Sequence, residues 1–350
     1  MTASDPLSRP EIEAVDPQGM LGDVLAQPLQ VGDALWRVES ARLTRRDLAG
    51  GLVVCGMGGS AIGGDLAAAV IGDRATRPIK TIRGYALDPW TPGDTLVLCA
   101  SYSGETEETL ACFEAAGAAG TPRVALTTGA ALAEAARAEE VPVIGVPAGM
   151  QPRAAVIYMT IGALECAAAS GATESLRTEI DATGAVLTDL AEKWGPDSPP
   201  DSEAKAIATT LQGTIPVVHG SGPTVAASRR WKTQLNENAK LAAFASELPE
   251  ANHNEICGWD RGRQEAPLSA VFLEDPDQHP RMRERMELTC QAADAAGAPV
   301  VRVTARGDNP VERILSLVLL GDLVSVYLAT LAGVDPTPVE AIERLKATLG

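Results

Sequence analysis

Aromatic side chains are scarce in this chain: Phe, Trp and Tyr make up 3% of its 350 residues. A surface that stacks nucleic-acid bases needs several of them among basic side chains. Basic residues are short as well, with 29 Lys and Arg against 46 Asp and Glu and a net charge of −17. That balance argues against a nucleic-acid partner. It admits an anionic small molecule only where a local pocket supplies N–H, hydroxyl or Arg donors. The three histidines, at 219, 253 and 279, show no close metal-ligand spacing, so neither a metal nor a cofactor held by one is expected. The six cysteines (55, 99, 112, 166, 257 and 290) form no C-x-x-C pair, and Cys55 and Cys99 lie inside apolar runs. They read as reduced core residues rather than a disulfide framework. No apolar run is expected to reach the ~18–20 residues that cross a bilayer. The first twenty residues lack the basic-then-apolar order of a secretory signal. A cytoplasmic protein without membrane contact is the expectation.

What is present is ordinary globular material, 45% hydrophobic and 21% charged, in a length that suits two domains. Short β-branched runs at 51–56, 78–83, 95–100, 123–127 and 141–146 read as strands, each bounded by Gly, Pro or Asp. Ala-rich helical stretches separate them at 61–71, 107–119 and 130–139. Alternation of this kind predicts a parallel sheet covered on both faces. Two long helices follow at 154–170 and 173–194, closed by GPDSPPDSE (195–203), whose paired prolines cannot continue a helix. The pattern then repeats, with strands at 214–219, 269–273 and 299–304 and helices at 224–240, 280–296, 310–332 and 339–349. The expected architecture is α/β, with domains at 20–194 and 204–350 joined by a linker at 195–203.

Two loops carry candidate chemistry. GMGGSAIGGD (56–65) follows a strand and opens a helix, where glycines let the backbone approach a ligand and helix N–H groups favour an anion. It overlaps the dinucleotide fingerprint, but the acidic residue that would bind a ribose about twenty positions on is missing, and Lys80 and Arg83 stand in that strand. After the third strand, Ser101-Tyr102-Ser103-Gly104-Glu105-Thr106 places three hydroxyls around a glycine ahead of another helix. An ordinary N-cap at Thr106 accounts for one hydroxyl, whereas a phosphate cradle accounts for three. Neighbouring loops at the carboxyl ends of parallel strands are where open α/β sheets place their ligands.

GMGGSAIGGD, SYSGETEET (101–109), GMQPRAA (149–155), NENAK (236–240) and SELPEANHNEI (246–256) occur in this order. Together they resemble the bifunctional phosphoglucose/phosphomannose isomerases of the sugar-isomerase (SIS) superfamily. The resemblance runs from about residue 51 to the C-terminal helix. It implies two flavodoxin-like SIS domains, each a parallel sheet sandwiched by helices, the first bearing the phosphate loops. It also implies a metal-independent aldose–ketose isomerase that interconverts glucose 6-phosphate and mannose 6-phosphate with fructose 6-phosphate through a cis-enediolate.

By the same resemblance, Gly59, Ser60, Ser101, Ser103 and Thr106 would hold the phosphate. Glu237 would move the proton between C2 and C1, a task that suits a partly buried carboxylate; a solvated helix charge is the competing reading. Arg153 would stabilise the enediolate, where an always-charged fork is effective, against the alternative of a surface Arg after Pro152. His253 would assist ring opening, reaching the site from the neighbouring subunit, which implies a homodimer. Lys346, in PVEAIERLK (338–346), would support ring opening, though a lysine near a helix end is commonly solvated. His219 and His279 take no role, and Gly220-Ser221-Gly222 is either a second sugar loop or a plain turn.

Two residues depart from the pattern: Glu105 puts a negative charge in the phosphate loop, and Ala251 stands where a larger apolar residue is expected. Other readings are a non-catalytic phosphosugar-binding regulator, a SIS isomerase for another sugar phosphate, and a nucleotide-dependent oxidoreductase. An amidotransferase would need a leading nucleophilic Cys that MTASDP does not offer.

Overall fold

The computed structural model describes residues 5–89, 91 and 93–349. Met1–Ser4 and Gly350, the expected end of the second domain, lie outside the described residues. Two compact units divide the chain: one is Ala26–Leu187 with Asp308–Ile314, the other the residues up to Leu25, Thr188–Gly307 and from Leu315 onward.

The chain opens with three helices that no sequence pattern flagged, α1 (Arg9–Val15), α2 (Met20–Leu25) and α3 (Gln27–Ser40). In the first unit, β1 (Leu52–Cys55), β2 (Ile79–Ile82), β3 (Leu96–Ser101), β4 (Arg123–Thr127) and β5 (Val143–Gly145) form one parallel sheet in the order β2-β1-β3-β4-β5. Its helices are α3, α4 (Gly58–Ile71), α5 (Glu107–Ala118), α6 (Ala130–Ala138), α7 (Val156–Ser170) and the start of α8 (Arg177–Trp194). Because side chains alternate along a strand, Val53, Cys55, Val97, Cys99 and Ala125 face α5 and α6, meeting Cys112, Phe113, Leu132 and Ala136. On the other face Val54 and Leu126 meet α4 and α7. Every residue of β1 and β3 is buried, as a sheet covered on both sides requires.

Glycine is a poor helix former, yet α4 contains GGSAIGG. Packing explains it. A Cβ on Gly63 would lie 2.6 Å from the Met159 backbone, so the glycine lets α4 lie directly on α7.

The second unit carries α9 (Glu203–Leu211), then β6 (Ile215–Ser221), α10 (Thr224–Glu237), β7 (Phe244–Leu248), α11 (Trp259–Glu265), β8 (Leu268–Glu274), α12 (Pro280–Ala295), β9 (Val300–Thr304), α13 (Pro310–Ala332) from Leu315 onward and α14 (Glu340–Leu349). Its parallel sheet has the order β7-β6-β8-β9. The switch in strand order thus falls between β1 and β3 in one unit and between β6 and β8 in the other. The Pro-rich stretch after α8 is a tied turn: Ser198 Oγ donates to Gly195 O at 2.6 Å, and the buried Lys205 ammonium donates to Pro196 O, Ser198 O and Asp5.

One expectation needs correction. α13 is long and apolar enough to cross a membrane by length and composition, but 89% of its apolar window is buried inside the protein. It serves as a core helix, and the polar groups along it are paired. Arg230 of α10 and Asp322 of α13, each 1% exposed, form a two-bond ion pair at 3.0 and 2.8 Å, and Trp231 Nε1 donates to Leu317 O at 2.7 Å. These contacts set the position of α10. All six cysteines are free; five are buried and Cys257 is exposed.

Candidate active site

In the first unit the hydroxyls converge. Ser101 closes β3, and its Oγ lies 2.8 Å from Thr106 Oγ1 and 3.5 Å from Ser103 Oγ while accepting from the Gly104 N–H at 3.0 Å. Thr106 occupies the N-cap of α5 but makes no side-chain cap there. Its hydroxyl is committed to Ser101, and the plain N-cap reading does not hold. Ser60, in the first turn of α4, accepts from the Tyr102 N–H at 3.1 Å, which joins the two loops. Gly59 has a packing duty beside any ligand role: a Cβ there would stand 3.0 Å from Arg153 Cα and from Pro152 O.

Arg153 is 2% exposed, so the surface reading fails. It sits in a short 3-10 turn (Pro152–Ala155) ahead of α7, and its Nη1 donates to Gln151 Oε1 at 3.4 Å. The first unit therefore places the backbone of the buried Arg153 against the glycine turn that leads to Ser60. Dianion-ready hydroxyls and a desolvated fixed cation suit a phosphorylated substrate that develops negative charge.

Glu105 does not spoil this loop. Its carboxylate accepts from the Ala131 N–H at 3.1 Å, in the first turn of α6, where a helix favours negative charge. Lys80 pairs with Asp88, and Arg83 with Asp65 at 2.7 Å, so neither cation is reserved for a ligand.

In the second unit, α10 is shorter than the 224–240 predicted, and Glu237 is its last residue. The flanking asparagines explain the stop. Asn236 Nδ2 donates to Leu241 O at 2.8 Å, and the buried Asn238 donates to Ser325 Oγ of α13 at 2.9 Å. Lys240, in the left-handed region at φ 54°, donates to Glu237 O at 2.6 Å and to Pro336 O at 3.1 Å. The half-buried Glu237 carboxylate thus sits on a braced helix end instead of mid-helix in solvent.

Polar residues tie the loop after β7 to itself, to β7 and to α12. Asn252 donates to Thr289 Oγ1 at 2.7 Å, Asn254 to Glu250 at 2.9 Å, and Ser246 to Glu255 at 2.6 Å. His253 among them is exposed. Ala251 is buried with Leu248, Trp259, Phe272 and Met286, so the small side chain is a core residue. Lys346 is exposed on α14, and among the described residues no hydrogen bond or ion pair joins it to Glu237 or His253. The loop after β6 spends its hydroxyls internally: Thr224 Oγ1 donates to Leu273 O at 2.8 Å, and Ser221 Oγ to Gln278 Oε1 at 3.2 Å.

His219 is a core residue of β6, 1% exposed and stacked on Phe272 with ring centroids 4.6 Å apart. Burial pushes its pKa down to about 4. The unfolded chain takes up this proton near the ordinary value of 6.5, whereas the folded chain refuses it until about 4. Stability present above pH 6.5 is therefore lost as pH falls through that window, by roughly 1.4 kcal/mol per unit. His219→Leu is expected to flatten the fall of the urea midpoint between pH 6.5 and 4 relative to the parent. Equal slopes for the two proteins would remove His219 as a cause.

Sequence reasoning missed Tyr102, which is 8% exposed. Its hydroxyl donates to Pro147 O at 3.1 Å and accepts from the Met150 N–H at 2.9 Å, while its carbonyl accepts from Thr128. Its place between two serines was the available signal. Asp322 and Ser325, which brace α10 from a helix more than eighty residues away, left none.

Residues 200–349 match the family described as bacterial phospho-glucose isomerase C-terminal SIS domain. A bifunctional phosphoglucose/phosphomannose isomerase from Caldicellulosiruptor bescii is 38% identical over 85% of this chain and 89% of its own length. Its counterpart from Aquifex aeolicus is 35% identical over 85% and 90%. Among solved structures, a hypothetical protein from Thermus thermophilus superimposes with a TM-score of 0.73 at 15% identity, covering 95% of this chain and 90% of that one, a likeness of fold.

Proposed function

The chain belongs to the bifunctional phosphoglucose/phosphomannose isomerase family, and on that premise we propose that it interconverts glucose 6-phosphate and mannose 6-phosphate with fructose 6-phosphate through a cis-enediolate. The two aldoses differ only at C2, so one enediolate and one base serve both. The observation that carries this reading is the cluster of Ser101, Ser103 and Thr106 hydroxyls, joined through Tyr102 to Ser60 beside a buried Arg153. Those hydroxyls and Gly59 hold the phosphate, Arg153 stabilises the enediolate oxygen, and Glu237 carries the proton between C2 and C1. His253 and Lys346 exchange protons during ring opening. The chemistry needs no metal or cofactor.

A coupled assay in EDTA tests this, with each aldose phosphate offered separately and fructose 6-phosphate followed. Turnover of both supports the bifunctional reading, and turnover of one narrows it. If neither reacts while a hexose phosphate raises the melting temperature, the protein is a phosphosugar-binding regulator. Turnover of a different sugar phosphate alone would make it a SIS isomerase of another substrate.

We propose further that it acts as a homodimer in which His253 serves the neighbouring subunit. The exposure of His253 supports this, as does α14, whose Ile342, Leu345 and Leu349 are exposed at helical spacing, Leu345 by 60%. Mixing inactive Glu237→Gln with inactive His253→Ala is expected to restore turnover that neither variant shows alone. A mixture that stays inactive after subunit exchange places His253 in its own subunit's site. Buried free cysteines suit a reducing compartment, and we place the enzyme in the cytoplasm, in the carbohydrate metabolism shared by glycolysis and gluconeogenesis.

A further inference from the structure

Tyr102 holds together three segments that are far apart in the chain. Its N–H donates to Ser60 Oγ at 3.1 Å, in the first turn of α4. Its carbonyl accepts from both the N–H and the hydroxyl of Thr128 after β4, at 3.2 and 2.9 Å. Its phenol reaches the stretch after β5, donating to Pro147 O at 3.1 Å and accepting from the Met150 N–H at 2.9 Å. Tyr102 itself lies between Ser101 and Ser103, two of the clustered hydroxyls.

The phenol closes residues 147–150 on themselves. Within them Gly149 takes φ +100°, open to glycine, so the backbone turns sharply there. Three residues after Met150 comes Arg153, and the turn that carries it is continuous with this closed segment, the Ala154 N–H donating to Gln151 O at 2.8 Å. Removing the phenol would leave a carbonyl and an N–H without the partner that now spaces this segment from the phosphate loop.

We infer that Tyr102 is a positioning residue: its phenol sets where the Arg153 guanidinium stands relative to the hydroxyl cluster. The inference rests on the reading of Arg153 as the group that stabilises the enediolate. Tyr102 touches no reacting atom in this account. Its backbone N–H holds Ser60 whichever ring it carries, so the phosphate subsite should survive loss of the hydroxyl. A displaced Arg153 is felt in the transition state, where a misplacement of about 1 Å can cost ~10²-fold.

The experiment is a double-mutant cycle of Tyr102→Phe and Arg153→Met, with kcat, KM, inhibition by inorganic phosphate and melting temperature measured on each protein under one set of conditions. Tyr102→Phe is expected to lower kcat by roughly 10–100-fold, with KM and phosphate inhibition within about twofold of the parent and the protein still folded. Arg153→Met is expected to lose about 10²–10³-fold, and the double variant should be no slower than Arg153→Met alone. Thr128→Val, which removes one bond to the Tyr102 carbonyl and none to 147–150, is expected to leave kcat unchanged.

Multiplicative losses in the double variant would overturn the inference, because Tyr102 would then act apart from Arg153. So would parental kcat in Tyr102→Phe, or a lowered melting temperature with parental kcat per folded molecule. If Arg153→Met keeps parental turnover, the enediolate role of Arg153 fails and the inference falls with it. That outcome is told apart by the Arg153 variant alone.

Discussion

Glu237→Gln is expected to lower kcat by about 10²–10⁴-fold for both aldose phosphates, with KM close to the parent value. The amide keeps the size and much of the hydrogen bonding of the carboxylate but cannot accept the C2 proton. Glu237 ends α10, and that end is held by Asn236 on Leu241, by Asn238 on Ser325 and by Lys240 on the Glu237 carbonyl, three bonds that Glu237→Gln leaves in place. Steady-state kinetics on each substrate provide the check. A rise in KM with unchanged kcat would mean that Glu237 binds sugar without acting as the base, and equal loss on both substrates is the signature of one shared enediolate.

Asp322→Ala is expected to cost about 3–5 kcal/mol of folding stability, because it leaves the Arg230 guanidinium buried and without its carboxylate partner. Both side chains are 1% exposed and joined by two hydrogen bonds, so water cannot replace the lost partner without opening the contact between α10 and α13. Urea unfolding at neutral pH gives the measurement. By contrast, breaking the exposed Arg344–Glu340 pair on α14 is expected to leave the midpoint unchanged. A loss below about 1 kcal/mol for Asp322→Ala would mean that the surrounding core relaxes around the bare charge. Since Asp322 also anchors the helix that presents Glu237, kcat of the folded fraction should fall along with stability.

The strands of the first unit were legible because a parallel sheet buried on both faces leaves near-continuous apolar runs such as LVVC and LVLCAS. β7 was not. Its sequence is FASEL, with only Ser246 and Leu248 buried, and an edge strand of that kind carries little apolar signal. α10 was drawn three residues too long because propensity does not show that Asn236 and Asn238 bond away from the helix. α13 was legible as a helix but not as one with the length and apolarity of a membrane span, and only packing identifies it as a core helix.

By itself the sequence determined the strand–helix alternation, the two loops at carboxyl ends of neighbouring strands, and the side-chain types available for phosphate binding and proton transfer. These are local properties, written in periodicity and in residues a few positions apart. The tertiary structure alone decided that Glu105 turns to α6, that Arg153 is buried, that the NENAK asparagines brace a helix end, and that Tyr102 reaches Pro147 and Met150. Glu105 and Ala131 lie 26 positions apart in the chain, and Asn238 and Ser325 lie 87 apart. Strand register and helix packing bring such partners together, and a local pattern contains neither.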